Sequence, residues 1–168
     1  LARGVEQRLG ADYGAATALC CKMGMWSCKK LREATVVECH EKRLSAADLA
    51  TLAKLGSVLP ALEELFLTER SDSFLTERSA NLDGVSQLAE GLVAGALPAV
   101  HFLGLGGMHV GDAGASALAD ALDRGALPRL ESLDLGDAAI GDAGLAALAP
   151  ALRRRPALEG LYLDGNPL

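Results

Sequence analysis

The chain has 168 residues, half of them apolar but only 4% aromatic, and carries a net charge of −6. That length suits one domain with a core of Leu, Ala and Val. The acidic balance argues against nucleic acid as a partner, because phosphates call for a basic face. No apolar run approaches the roughly 18 residues of a membrane-spanning helix.

The chain opens on Leu1 without a charged-then-apolar leader and stops at Asn166-Pro167-Leu168, inside a repeating unit. The expectation is a fragment of a longer protein. Cys20, Cys21, Cys28 and Cys39 all lie in the first quarter. Disulfide frameworks usually spread their pairs through a domain, and adjacent Cys20 and Cys21 lack the two-residue gap of a zinc knuckle. Reduced thiols in a cytoplasmic protein are expected.

Residues 1–30 read as a degenerate first repeat or N-terminal cap. Leu19 stands 12 before Leu31, as Leu118 stands 12 before Leu130. Met23, Met25 and Trp26 supply bulk to close the core, the task of a cap; exposed apolar bulk left by a missing upstream repeat is the alternative. A first strand is expected at Leu31-Arg-Glu-Ala34-Thr-Val36, centred on Glu33–Val37, where Thr and Val favour extension. Residues 46–55 follow as a helix with Ser45 as N-cap, a stripe of Leu49, Leu52 and Leu55, and Gly56 as its stop.

Leu62-Glu-Glu-Leu65-Phe-Leu67 is the next strand. Phe66-Leu-Thr-Glu-Arg-Ser71 then recurs as Phe74-Leu-Thr-Glu-Arg-Ser79, a tandem duplication of eight residues. Only one copy can hold the strand end, so a duplicated loop insert is expected at 68–81, at small entropic cost. The same six-residue template returns as Val100-His-Phe-Leu103-Gly-Leu105, Leu130-Glu-Ser-Leu133-Asp-Leu135 and Leu158-Glu-Gly-Leu161-Tyr-Leu163. Counted from Leu31, the starts are spaced by 31, 38, 30 and 28 residues. Between them lie Ala-rich helices with stripes at Leu88 and Leu92, Leu118 and Leu122, and Leu145, Leu148 and Leu152. Gly111-Asp112-Ala-Gly114 and Gly141-Asp142-Ala-Gly144 precede two of these helices, each Asp being expected to cap free N–H groups. Pro150 falls within the last stripe and is expected to kink or shorten that helix. A self-similar unit of about 30 residues means a solenoid whose units must stack to bury their apolar faces.

The L-x-x-L-x-L strands, Ile140-Gly-Asp-Ala-Gly144 and Leu163-Asp-Gly-Asn166 resemble the leucine-rich repeat family, in its ribonuclease-inhibitor-like class. The resemblance covers residues 31–168, the last repeat truncated, and 9–30 loosely. It implies an α/β horseshoe with a parallel β-sheet on the concave face, helices on the convex face, and protein binding as the usual role. One departure is that the family's Asn/Cys position holds Cys39, Met108, Ala138 and Asn166, with Arg70 or Arg78 in the duplicated unit. The side-chain ladder that satisfies loop backbone groups is thus incomplete.

Side chains alternate along a strand, so template positions 4 and 6 point inward, 3, 5 and 7 outward, and 2 lies at the rim. The outward and rim positions collect Glu33, Glu63, Glu64, Glu131, Asp134, Glu159 and Asp164, against Arg32 as the only base. Phe66, Phe102 and Tyr162 join them. The functional reading is a non-enzymatic scaffold whose concave face docks a basic, partly apolar protein segment, with Glu64, Phe66, Phe102, Glu131, Asp134, Tyr162 and Asp164 as partner-binding residues. The plainer account is that the acids keep an Ala/Leu-rich solenoid soluble. His40, His101 and His109 share no local motif with a nucleophile and an acid, so no catalytic residue is assigned, and no cofactor. A zinc site from Cys20, Cys21, Cys28 and Cys39 or His40 is the weaker reading of the cysteines, so no metal is assigned. A second resemblance, to repeat proteins that activate Ran-type GTPases, offers the alternative function. Arg70 or Arg78 on a strand-to-helix loop would then stabilise transition-state charge.

Overall fold

The computed structural model describes residues 13–25, 28–69 and 78–168. Helices α1 (Tyr13–Lys22) and α2 (Cys28–Glu33) precede strand β1 (Val36–Glu38). Helix and strand then alternate as α3 (Ala46–Leu55), β2 (Glu64–Phe66), α4 (Arg78–Val93), β3 (Phe102–Gly104), α5 (Gly111–Asp123), β4 (Ser132–Asp134), α6 (Asp142–Arg153) and β5 (Gly160–Tyr162). The strands make one parallel sheet in chain order, β1-β2-β3-β4-β5. Its register sets Val37, Leu65, Leu103, Leu133 and Leu161 side by side.

Each strand is short, but backbone pairing runs past it at both ends. Cys39, Leu67, Leu105 and Leu135 donate to Phe66, Gly104, Asp134 and Tyr162 of the following strand, and Glu63, His101, Glu131 and Glu159 close the rung before it. Val37, Leu65, Leu103 and Leu133 are at most 1% exposed. With Leu67, Leu105 and Leu135 they join the helix stripes of Leu49 and Leu52, Leu88 and Leu92, and Leu118 and Leu122 in one core. Where α4 and α5 meet β3 and β4, the lining leucines leave a void of only about 10 Å³.

Helices α3, α4, α5 and α6 pack consecutively. Small residues set how closely. A methyl group at Gly91 would overlap Ala53, and one at Gly84 would stand 2.9 Å from the Ala46 Cα. The first helix is tied to the third by Lys22, whose Nζ lies 2.6 Å from Asp48 Oδ2. Ser45 N-caps α3 as expected, in a capping box closed by Asp48.

Several expectations are corrected. The first strand is not Leu31–Val36. Residues 31–33 belong to α2, where Leu31 is buried as a helix residue, and the strand starts at Val36. The β-branched run Thr35-Val36-Val37 outweighs the leucine spacing there. Ala34 thus takes the first template place and Cys39 the sixth, so Cys39 is buried like Leu67 rather than standing at the family's Asn/Cys position. Gly56 follows the last residue of α3 and is its C-cap, the stop expected of it, though in right-handed backbone. Its φ is −53°, the chain continues into a 3₁₀ turn at Gly56–Val58, and the glycine is needed because a Cβ would strike Ala96. Helix α6 runs three residues beyond Pro150. That proline is on the solvent side, where water can satisfy the carbonyl that loses its N–H partner. The first copy of the duplication holds β2 through Phe66, and helix α4 already begins at Arg78, so the last part of the 68–81 interval is helical. Residues 70–77 lie outside the described residues.

The Asp caps also differ from expectation. Neither α5 nor α6 is capped by a side chain of its own N-terminal residue. Instead Asp112 reaches forward one repeat, its Oδ1 accepting from Gly141 N at 2.8 Å and Gly144 N at 2.9 Å. Arg155 reaches back, donating to the carbonyls of Leu122 in the last turn of α5 at 2.6 Å and of Leu127 beyond its end at 2.7 Å. Neighbouring repeats thus close each other's helix termini.

Candidate recognition face

The sheet face opposite the buried leucines is an ordered grid. In register, one row reads Val36, Glu64, Phe102, Ser132, Gly160, and the next Glu38, Phe66, Gly104, Asp134, Tyr162. Of the predicted partner-binding residues, Glu64, Phe66, Phe102, Asp134 and Tyr162 occupy this grid. Asp164 follows two residues after Tyr162, Glu131 precedes Ser132 at the rim, and both are exposed. Glu33 and Arg32 leave the face because they belong to α2. Glu38 and His40 enter it instead, and His101 stands at the rim.

The aromatics have a local structural task. Phe66 and Phe102 stack with centroids 4.5 Å apart, and His40 adds a tilted contact at 6.1 Å from Phe66. A Cβ on Gly104 would lie 3.3 Å from Phe102 and 3.5 Å from Phe66, so the two rings lean over a residue with no side chain to shield its backbone. Tyr162 does the same at Gly160, where a Cβ would be 3.4 Å from its ring. Cross-strand aromatics that cover glycine restore packing the sheet would otherwise lack. Half-buried Phe66 and Phe102 are thus held in place, while Tyr162 is 49% exposed.

The polar groups are loosely tied. His101 Nε2 is 3.9 Å from Glu64 Oε1, and His40 Nε2 is 3.9 Å from Glu38 Oε2. His40 Nδ1 also meets the Thr68 hydroxyl. Asp134 Oδ1 accepts from Gly136 N at 2.9 Å. At the N-terminal rim of the strands, a groove of about 410 Å³ is lined by Glu63, Ala99, His101, Pro128, Arg129, Glu131 and Ala157. Seen as a whole, the described part of the face presents carboxylates around a fixed aromatic centre, with Arg129 at its rim.

Cys39 is fully buried. Burial pushes its thiol up to about 11, with Lys42 pulling it down and Glu69 adding to the rise. A thiol held in that state is a poor metal ligand or nucleophile, and no cluster of His, Cys, Asp or Glu suited to a metal occurs among the described residues. Arg70 lies outside the described residues, as does the side chain of Arg78, whose backbone opens α4. No helix among the described residues is long and apolar enough to cross a membrane. Asn166 stands where the leucine-rich repeat resemblance expects an Asn. Its Nδ2 donates to Leu135 O at 2.7 Å and Leu163 O at 2.8 Å, and its Oδ1 accepts from Ile140 N at 2.9 Å. At the equivalent places Met108 and Ala138 are buried apolar residues instead.

A family model described as Leucine Rich repeat matches residues 127–149. This supports a leucine-rich repeat protein. The matched segment runs from Leu127 through β4 to the middle of α6 and includes Ile140-Gly-Asp-Ala-Gly144 and Asp134. No curated protein matches the chain. A leucine-rich repeat suggests a part in protein interaction, and the parallel sheet with consecutively packed helices agrees with that fold type.

Proposed function

We propose that the protein is a non-enzymatic interaction scaffold of the ribonuclease-inhibitor-like class, and that the open sheet face is the concave side of a horseshoe that docks a basic protein segment. The single observation that carries this is the grid itself. Glu38, Glu64, Asp134 and Asp164 surround the fixed Phe66–Phe102 pair and Tyr162, with no lysine or arginine in either row. Complementary charge steers a partner and sets its register, while aromatic area holds it. An extended segment suits a face built of short parallel strands better than a small molecule does. The reading includes closure of the N-terminal end by α1, whose Ala16 and Leu19 are fully buried, and a cytoplasmic setting, argued from the crowding of all four cysteines into the first quarter of the sequence. It excludes nucleic acid and membranes as partners on the acidic balance. Nothing in the described residues favours the GTPase-activating alternative.

The test is affinity capture with the wild-type domain and with a Glu131→Lys/Asp134→Lys variant, both verified as folded by circular dichroism. Partners retained by the wild type should be basic and lost from the variant. Equal retention by both removes the open face as the recognition surface.

A further inference from the structure

Resting on that reading, we propose that the β4 column of the open face is an arginine-binding channel, in which Asp134 and Ser132 receive a guanidinium between two aromatic banks. The Phe66–Phe102 pair leans over Gly104 on β3, and Tyr162 leans over Gly160 on β5. Ser132 and Asp134 are on the strand between them, with Ser132 paired to Phe102 and Gly160, and Asp134 paired to Gly104 and Tyr162. Glycines on both neighbouring strands leave the column free of side chains that would fill it. The strands that carry the two banks are about 10 Å apart, two strand spacings.

The acceptors in the channel are partly committed in a way that fits a planar donor. Asp134 Oδ1 is held by the Gly136 amide, which orients the carboxylate. Its Oδ2 turns toward Gly106, where a Cβ would come within 3.4 Å, and receives no hydrogen bond from a described residue. The Ser132 hydroxyl likewise has none and stands 2.8 Å from where a Gly160 Cβ would be. Two residues apart on one strand, Ser132 and Asp134 have Cα atoms about 7 Å apart, within reach of an arginine with its fork of five N–H donors. Its planar face can also lie against a ring, which an ammonium does less well. No cationic side chain lies within ion-pair distance of Asp134 among the described residues.

The experiment is a titration of ¹⁵N-labelled protein with the tripeptide amide Ac-Gly-Arg-Gly-NH₂, with the lysine and citrulline versions alongside. Citrulline keeps the shape of arginine but is neutral. A lysine- and glycine-alternating nonapeptide serves as a separate probe of the whole face. Expected are amide shifts centred on Gly104, Asp134 and Gly136 with the arginine peptide, severalfold weaker binding of lysine, and none of citrulline. Asp134→Asn, which preserves shape, should weaken the arginine response roughly fivefold or more. Equal responses to arginine and citrulline, or an Asp134→Asn titration unchanged from wild type, overturn the channel. If the nonapeptide still maps to the open face in that case, the docking reading stands without it. If neither probe shifts the open face, both are wrong.

Discussion

Single side chains in this protein act mainly across repeat boundaries. Asp48 closes the cap of α3 and ties α1 to it through Lys22. Burial by itself would raise its pKa, but hydrogen bonds from Lys22 and Ser45 outweigh that and hold it below the ordinary value. A carboxylate whose pKa is lowered by folding stabilises above its unfolded value of about 3.9 and loses that contribution as pH falls through the lower folded value. Asp48→Ala should therefore cost about 1–2 kcal/mol near neutral pH, with a gap in Tm to wild type that narrows toward pH 2. A gap constant across pH would contradict the ion-pair account. The Cys39 thiol, in contrast, should resist iodoacetamide in the folded protein while exposed Cys21 reacts; labelling of both at one rate, read by mass spectrometry, would show that the first repeat is open. Asp112→Ala removes two amide partners from the start of α6 and should lower stability by about 1–2 kcal/mol in urea unfolding. A neutral result would mean that solvent serves those amides equally well.

At the scale of elements, Gly91 gives an unusual sign. Alanine in place of a mid-helix glycine normally stabilises by about 0.5–1 kcal/mol, but here the new methyl would overlap Ala53 on α3. Gly91→Ala should instead destabilise by about 1–3 kcal/mol through overpacking, measured as a lower midpoint in denaturant. A rise in stability would show that α3 and α4 can part at no cost. The template leucines made β2 to β5 legible to within a residue, because a strand buried on one face must alternate there. They misled at β1, where Leu31 satisfies the same spacing from within a helix and only the β-branched Thr35-Val36-Val37 marks the true start. The open-face acids and aromatics followed from alternation alone once the strands were placed. What the rings cover was not legible, since the lean of Phe102 over Gly104 depends on rotamers. Nor were the caps from Asp112 and Arg155, whose partners lie about a full repeat away in sequence.

For the whole molecule, burial along the sheet is uniform until its last strand. Leu65, Leu103 and Leu133 are at most 1% exposed, while Leu161 at the same register is 39% exposed. In a repeat array each unit is stabilised by its neighbours, so β5 should exchange its amide hydrogens faster than β4. Equal protection at 161–163 and 133–135 would mean that the repeats unfold as one unit. The same array sets out the recognition face, since each strand adds one column of side chains to the grid. Exposed ion pairs contribute only about 0–1 kcal/mol each and weaken with salt, so the carboxylates steer while Phe102 and Tyr162 hold. Carboxyl footprinting of the domain with and without a captured partner, read residue by residue by mass spectrometry, tests this most directly. The account predicts slower labelling of Glu64, Glu131 and Asp134 in the complex, with Glu90, Asp120 and Asp123 on the helices unchanged. Protection of the helix carboxylates with the sheet carboxylates unaffected would contradict it.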